Sequence, residues 1–396
     1  MKGYLRKDGR KGIRNRVLVA YTVECAHFVA SSIADSFSDA DVHLVGFGGC
    51  APNEYANLLM ERLCTHPNVG AVLLVSLGCE NMDGEILRKK AEASGRPAGR
   101  VVIQEAGGTR AAVEAGRKWV EGAIATLRQA PVCELSWNEL TVGTICGGSD
   151  ASSGITANPA VGLTFDALVD LGARCIFEEP GELLGCEESL RQRGADPRTG
   201  EALAECIRKA DRYYKAMGHD SFSEGNATGG LTTIEEKSYG SYAKSGSRTI
   251  SGLLYPCDIP PAPGLYLMDV VPDGEARWGF PNVSDNAEII ELIATGCQIV
   301  LFTTGRGSVV GSAIAPVIKV CGNPLTYAHM EEDMDVNAGA VISEGRSLEE
   351  IRDVIMAKIS ACADGVPSKS EALGHREFAL EYKYFNRSEV PGCPLR

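Results

Sequence analysis

The chain has 396 residues, 44% hydrophobic and 23% charged, with a formal net charge of −13. That is enough apolar material for two or more domains. Acidic charge spread along the whole chain argues against nucleic acid and anionic membranes as main partners, and it means that an acidic substrate needs a locally positive pocket. No apolar run reaches the length of a membrane span, and the basic lead MKGYLRKDGRKGIRN lacks the apolar core of a signal peptide, so a cytoplasmic protein is expected.

RVLVAYTV (16–23) and DVHLVGF (41–47) are predicted as strands, and APNEYANLLMERLCTH (51–66) has helical spacing. The β-branched run VGAVLLVSLG (69–78) reads as a strand buried on both faces. EILRKKAEASG reads as a helix, RVVIQE as a strand and TRAAVEAGRKWVEGAIATLRQA as a long amphipathic helix. Such alternation predicts a doubly wound α/β domain. The region 131–138 is a plausible seam, so the domains are set at 1–135 and 136–396.

The second unit is predicted to run from strand LTVGTIC through helix ANPAVGLTFDALVDLG to strand ARCIFEE, with helices to about Met217. Residues 218–262 read as a polar, glycine-rich excursion in which TIEEKSYGSYAKSG is helical. Strand GLYLMDV, helix DNAEIIELIATG and strand CQIVLFTT complete the sheet, VIKVCGN adds an edge, and the last fifty residues are helix and tail. The fold class expected is α/β, with two Rossmann-like doubly wound domains and mostly parallel sheets. There is no internal repeat.

Fourteen cysteines are many for a chain in a reducing compartment, where disulfides are rare. Cys133, Cys175, Cys206, Cys297, Cys321 and Cys362 sit in strand or helix patterns and read as small buried residues. Three others end strands beside glycine: Cys50 in DVHLVGFGGC, Cys79 with Glu80 in AVLLVSLGCE, and Cys146 in TVGTICGGSD. Ligands of open α/β sheets sit at such carboxyl ends, and thiolates suit iron–sulfur clusters, zinc or ferrous iron. Three small residues before tight turns would look the same. The N–H groups of Gly147, Gly148 and Ser149, just before a helix, could hold a carboxylate, although capping by Ser149 or Asp150 is the plainer use.

LFTTGRGSVVG (301–311) mimics a dinucleotide loop, but Pro316 and VIKV follow too closely for a crossover helix. Arg306, with Thr303 and Thr304, reads as anion-binding or as a turn arginine. The acidic run HMEEDMDVNAG and the charges around Lys237 look like solvated helix faces, and no histidine spacing suggests a zinc site.

Taken in order, GYLRKDGRKGIRNRVLV, HPNVGAVLLVSLGCE, QEAGGTR, CGGSDASSGITANPAVG, GGLTTIEEKSYG, LFTTGRGS and MEEDMDVNAG resemble the altronate/galactarate dehydratase family over about residues 3–340. That family includes the large subunit of sulfolactate sulfo-lyase. The resemblance implies iron-dependent β-elimination of water, or of sulfite in the sulfo-lyase branch, from a 2-hydroxy acid. Many members carry a small SAF-type domain, so the resemblance implies either a separately encoded small subunit of that type or the loss of its function. A homo-oligomer is expected. CIFEEPGELLGCEE and GSAIAPVIKV differ from the sugar-acid dehydratase pattern, which bears on the substrate more than on the reaction.

With the resemblance, Cys50, Cys79 and Cys146 become candidate iron ligands, as a three-cysteine [4Fe–4S] cluster ahead of mononuclear ferrous iron. Gly147, Gly148, Ser149, Arg110, Thr304 and Arg306 are candidate substrate contacts. Asp150, Lys237 and Glu80 are candidate proton-transfer groups. A nucleotide-dependent oxidoreductase and a non-catalytic binding subunit are the readings from other classes.

Overall fold

The structure is a computed structural model that describes residues 1–37, 41–218, 224–273, 283–380 and 382–385. Residues 219–223 of the polar excursion and the tail beyond 385 lie outside the described residues.

A small antiparallel sheet joins β1 (Lys2–Leu5), β2 (Lys11–Gly12) and a later strand, Cys133–Glu134. The next strands, β3 (Arg16–Tyr21), β4 (Val42–Gly46), β5 (Val69–Ser76) and β6 (Ala98–Val102), form a parallel sheet in the order β4-β3-β5-β6. All eight residues of β5 are buried, as its unbroken apolar run requires of a strand covered on both faces. Between the strands lie α1 (Glu24–Ala34), α2 (Glu54–Cys64) and α3 (Gly84–Ala93), then a short α4 (Ile103–Ala106) and the long α5 (Thr109–Leu127). α4 replaces the end expected for strand RVVIQE, with Gly107 in the left-handed region behind it. Asn53 and Asp83 cap α2 and α3 by accepting from first-turn N–H groups.

After β7 (Cys133–Glu134) the chain enters a seven-stranded, wholly parallel sheet. It contains β8 (Thr141–Cys146), β9 (Arg174–Phe177), β10 (Ile250–Leu254), β11 (Gly264–Met268), β12 (Ile299–Thr304), β13 (Val317–Cys321) and β14 (Val336–Asn337), in the order β10-β11-β9-β8-β12-β13-β14. Strand β10 falls inside the stretch expected to be a polar excursion, where a serine and a glycine interrupt its apolar residues. β14 pairs outside β13, so VIKVCGN is an inner strand and not the edge.

The helices of this half are α6 (Ala157–Asp170), α7 (Glu187–Arg193), α8 (Pro197–Met217), α9 (Glu224–Thr228), α10 (Ile234–Ala243) and α11 (Asp285–Ala294). They are followed by α12 (Pro324–His329), α13 (Ala340–Ser343), α14 (Leu348–Ala363) and α15 (Lys369–Leu373). Two α/β units with parallel sheets are therefore present, as the alternation predicts.

The two sheets share one apolar core, in which Leu59, Met60 and Leu63 of α2 meet Ile289, Leu292 and Ile293 of α11. Polar ties cross the same seam. Tyr55 donates to Glu291 at 2.5 Å, Asn68 Nδ2 to the carbonyls of Gln298 and Ile314, and Arg14 pairs with Glu371 at 2.8 Å. In each sheet the chain lays down one strand and then adds neighbours on both sides. This makes a switch point at β3 and another at β8, which are the crevices where doubly wound sheets hold ligands.

Candidate functional site

At the β8 switch point the carboxyl ends of β8, β9 and β12 come together with one face of α10. Cys146 ends β8 and is buried. Past β9, Glu178 and Glu179 continue into a 3-10 turn that carries Glu182. Glu179 has φ 68°, a left-handed conformation that costs a non-glycine residue roughly 1–2 kcal/mol. The turn it creates aims both Glu179 and Glu182 at Cys146. The Cys146 N–H donates to Glu179 Oε2 at 2.8 Å, and its thiol donates to Glu182 Oε2 at 2.6 Å.

The opposing charges come from α10. Lys237, Ser241 and Lys244 are four and then three residues apart, the spacing of a single helical face. Lys237 Nζ lies 2.5 Å from Glu182, Lys244 pairs with Glu179, and Ser241 donates to Glu182 at 2.9 Å. Lys244 is fully buried and Lys237 is 7% exposed.

These contacts set the protonation states. Despite burial, Lys237 and Lys244 hold the Glu182 carboxyl down to about 2, so it is ionised. Burial and the Glu182 charge push Glu179 up to about 7, against the pull of Lys244. Burial, with Glu179 and Glu182 close by, raises the Cys146 thiol well above its ordinary value, and it stays neutral. Both lysines are raised by the anionic groups around them although burial opposes it.

A cavity of ≈ 80 Å³, room for several water molecules, opens beside this cluster. Its walls include Glu179, Glu182, Tyr214, Ser284, Asp285 and Glu288. Burial and the Glu179 charge raise Glu288 well above the carboxylate range, and burial with Glu182 brings Asp285 to about 6. Behind the wall, Glu178 is fully buried with neither carboxyl oxygen hydrogen-bonded among the described residues; burial and Glu288 raise it too. Carboxyls in distinct protonation states around one cavity are what acid–base chemistry at neutral pH requires.

The fold brings part of the sequence-derived set here. Cys146, Gly147, Gly148, Ser149, Lys237, Thr304 and Arg306 all lie at this end of the sheet. Ser149 is 3.9 Å from the Cys146 sulfur, and a Cβ on Gly147 would stand 3.2 Å from Asp285. Several of these groups are already engaged. The Gly147 N–H bonds the Thr303 carbonyl, Thr304 donates to the Gly148 carbonyl, and Arg306 donates to Gly225 O and Thr228 Oγ1. Asp150 accepts from Ser152, Ser153 and Asn323, which makes it the clamp of its loop.

Cys50, Cys79 and Glu80 belong to the other sheet, on the loops after β4 and β5, and both thiols are exposed. Glu80 accepts from the Gly78 and Cys79 N–H groups and from Thr22. Arg110 lines a 660 Å³ surface cleft between α1 and α5, with Ser32, Glu114, Arg117 and Lys118. Cys146 thus ends a strand of one sheet, while Cys50 and Cys79 follow strands of the other, and the three do not form a ligand group within 4.8 Å. Among the described residues, the ligand-type group whose atoms lie within 4.8 Å of one another is Cys146, Glu179 and Glu182. An iron ion does not fit there: the two carboxylates are already neutralised by two lysines, and an added cation would meet their ammonium groups at contact distance.

Glu179, Glu182, Lys244, Asp285 and Glu288 were not anticipated as site residues. The signal available was the strand-end rule applied to ARCIFEE, whose last two residues are glutamates, and the seven-residue repeat of lysine in EKSYGSYAK.

Two family models cover the chain: "D-galactarate dehydratase/Altronate hydrolase, second domain" matches residues 3–128, and "D-galactarate/Altronate dehydratase, C-terminal" matches 137–385. The chain is 33% identical to a (2R)-sulfolactate sulfo-lyase subunit beta of Chromohalobacter salexigens, over 96% of this chain and 97% of that protein. It is 30% identical to an altronate dehydratase of Bacillus subtilis, over 96% of this chain and 77% of that one. A galactarate dehydratase (L-threo-forming) of Escherichia coli is 33% identical over 74% of this chain and 56% of its own length.

Proposed function

The chain belongs to the D-galactarate/altronate dehydratase family, and on that premise we propose that it is a lyase removing water by β-elimination from a 2-hydroxy acid with a second hydroxyl at C3. The observation that carries this reading is the pair of buried lysines on one face of α10, each held on a carboxylate that lines an acid-walled cavity.

In such a reaction the C2 proton leaves, the C3–O bond breaks, and the enol formed becomes a 2-oxo acid. Glu179, raised to about 7, serves as the base at C2. Lys237 and Lys244 face the negative charge that grows on the substrate carboxylate, and a preorganised donor of this kind contributes about 3–4 kcal/mol. Glu288, kept protonated, gives a proton to the departing oxygen. Glu182 fixes Lys237, Ser241 and the Cys146 thiol in place. Asp150 and the engaged backbone groups of 147–149 shape the loop.

Iron remains the proposed cofactor, at a place other than Cys146, and when bound it would supply a Lewis acid for an oxygen of the substrate. Release of sulfite from a 3-sulfonate is the second reading, favoured by the 33% identity to a sulfo-lyase subunit along almost all of both chains. The name of that relative also supports a further, separately encoded subunit. The test is to incubate the purified chain with sugar acids and with sulfolactate, reading 2-oxo acid and sulfite separately. Oxo acid from sugar acids with no sulfite supports dehydration, sulfite supports the second reading, and neither product from any 2-hydroxy acid, with iron and the separately encoded subunit also supplied, removes the lyase.

A further inference from the structure

We infer that Cys25, Cys50 and Cys79 are the three ligands of an iron–sulfur cluster seated on the switch point of the N-terminal sheet. The sheet order β4-β3-β5 puts three adjacent parallel strands side by side, at about 4.8 Å per strand. Each delivers one cysteine just past its carboxyl end: Cys50 after β4, Cys25 in the first turn of α1 after β3, and Cys79 after β5. All three are exposed and unpaired, whereas most of the other described cysteines are buried.

The three loops also touch. The Glu24 N–H donates to the Gly48 carbonyl at 3.3 Å, Asn81 Nδ2 to the Cys50 carbonyl at 2.9 Å, and Thr22 to Glu80 at 2.5 Å. Glu80 in turn fixes the Gly78 and Cys79 N–H groups. A Cβ on Gly78 would stand 2.6 Å from Gln104 Oε1, and its φ of 124° is open to glycine alone, so this loop follows a fixed path into the crevice.

A single tetrahedral ion does not fit the three sulfurs as they stand. Thiolates on one tetrahedral metal with bonds of about 2.3 Å lie about 3.8 Å apart. The three sulfurs do not form a group within 4.8 Å, while a cluster separates its thiolates by metal and bridging sulfide. Three thiolates make the assembly anionic. Of the three helices that start here, α2 and α3 have side-chain caps, whereas α1, whose first turn carries Cys25, has none, so its positive end is turned on the site. Ligation would release one proton from each thiol, and a four-iron cluster held by three thiolates would keep one iron free of protein ligands.

The site is joined to the acid–base cavity by the C-terminal segment. Tyr382 Oη accepts from the Ala51 N–H, and Lys383 Nζ reaches Glu291 and the carbonyl of Val270, a residue of the cavity wall. The inference deepens the proposed function by giving its iron a place, and rests on that reading for the purpose of the cluster.

The test is anaerobic reconstitution of the full chain with ferrous iron and sulfide, reading bound iron, acid-labile sulfide, the visible spectrum and the electron paramagnetic signal after reduction. Cys25→Ser, Cys50→Ser and Cys79→Ser are compared with Cys146→Ser, with circular dichroism as the fold control. Expected are equal iron and sulfide in wild type and Cys146→Ser, and loss of the chromophore in each of the other three. The inference is overturned if Cys25→Ser keeps its full cluster, if Cys146→Ser loses it, or if the wild type takes up iron without sulfide or none at all. Elimination is assayed separately: a cluster dependent on the three cysteines in a chain that eliminates nothing, even with the separately encoded subunit supplied, sinks the proposed function and leaves the site standing.

Discussion

Lys237 and Lys244 stand seven residues apart on α10 and end on two carboxylates of a single turn, Glu182 and Glu179. Two positive and two negative charges are thus buried together at the end of β8, with a neutral thiol between them. The chain as a whole is strongly acidic, and at this point two ammonium groups balance the carboxylates beside them.

Lys237→Met keeps most of the length of the side chain and removes the charge. The expected result is a fall in kcat of about 10²–10³-fold, the loss seen when a preorganised donor is removed, with the far-ultraviolet dichroism unchanged. A variant within threefold of wild type removes Lys237 from the reacting centre.

Glu179 sets a pH window. As a base it must lose its proton, so kcat/KM should rise with unit slope up to about pH 7 and level off above it. Glu179→Gln should abolish that limb together with the activity. The stability effect has the opposite sense. The native carboxyl holds its proton above the ordinary value of 4.5, so its contribution to stability is complete below that pH and is lost as pH rises through about 7. Melting curves at pH 5 and pH 8 should therefore differ more for the wild type than for Glu179→Gln.

Lys244 is wholly buried, and Lys244→Met leaves Glu179 without its partner. Breaking a buried pair from one side costs about 3–5 kcal/mol. Lys244→Met/Glu179→Gln removes both charges and should recover most of that loss in urea unfolding. A double variant as weak as the sum of the two single ones denies the coupling.

Asp150 is bound on all sides by Ser152, Ser153 and Asn323. Asp150→Ala should lower stability by about 1–3 kcal/mol through unsatisfied groups, while Asp150→Asn keeps at least a tenth of the activity. A folded Asp150→Asn chain slower by more than 10²-fold returns Asp150 to proton transfer.

Lys383 and Glu291 form a pair with side chains 1% and 0% exposed, joined by Tyr55. Lys383→Ala should cost about 3–5 kcal/mol and expose the C-terminal segment to proteases. Unchanged unfolding and digestion would show that the strap carries no load.

The strands were legible because parallel sheets demand unbroken apolar runs, as in 69–76 and 299–304. Strand β10 was hidden by a serine and a glycine within its five residues. The strand-end cysteines were also legible, but sequence does not say which sheet a strand joins. Cys146 was therefore grouped with thiols of the other half, and Cys25, set in the apolar-looking TVECAHF, was passed over. Glu179 and Glu182 stood in a segment noticed for differing from relatives, and only the left-handed turn at Glu179 reveals where they point. Lys244 escaped because the lysines of the expected helix TIEEKSYGSYAKSG read as a solvated face until their burial is seen.

The core common to both sheets has a consequence for traffic in and out. Parting the halves like a clamshell would wet Leu59, Leu63, Ile289 and Leu292 together, at about 25 cal/mol for every Å² uncovered. The cavity beside Cys146 is then to be reached past the rims of the loops, while the body of the molecule keeps its shape.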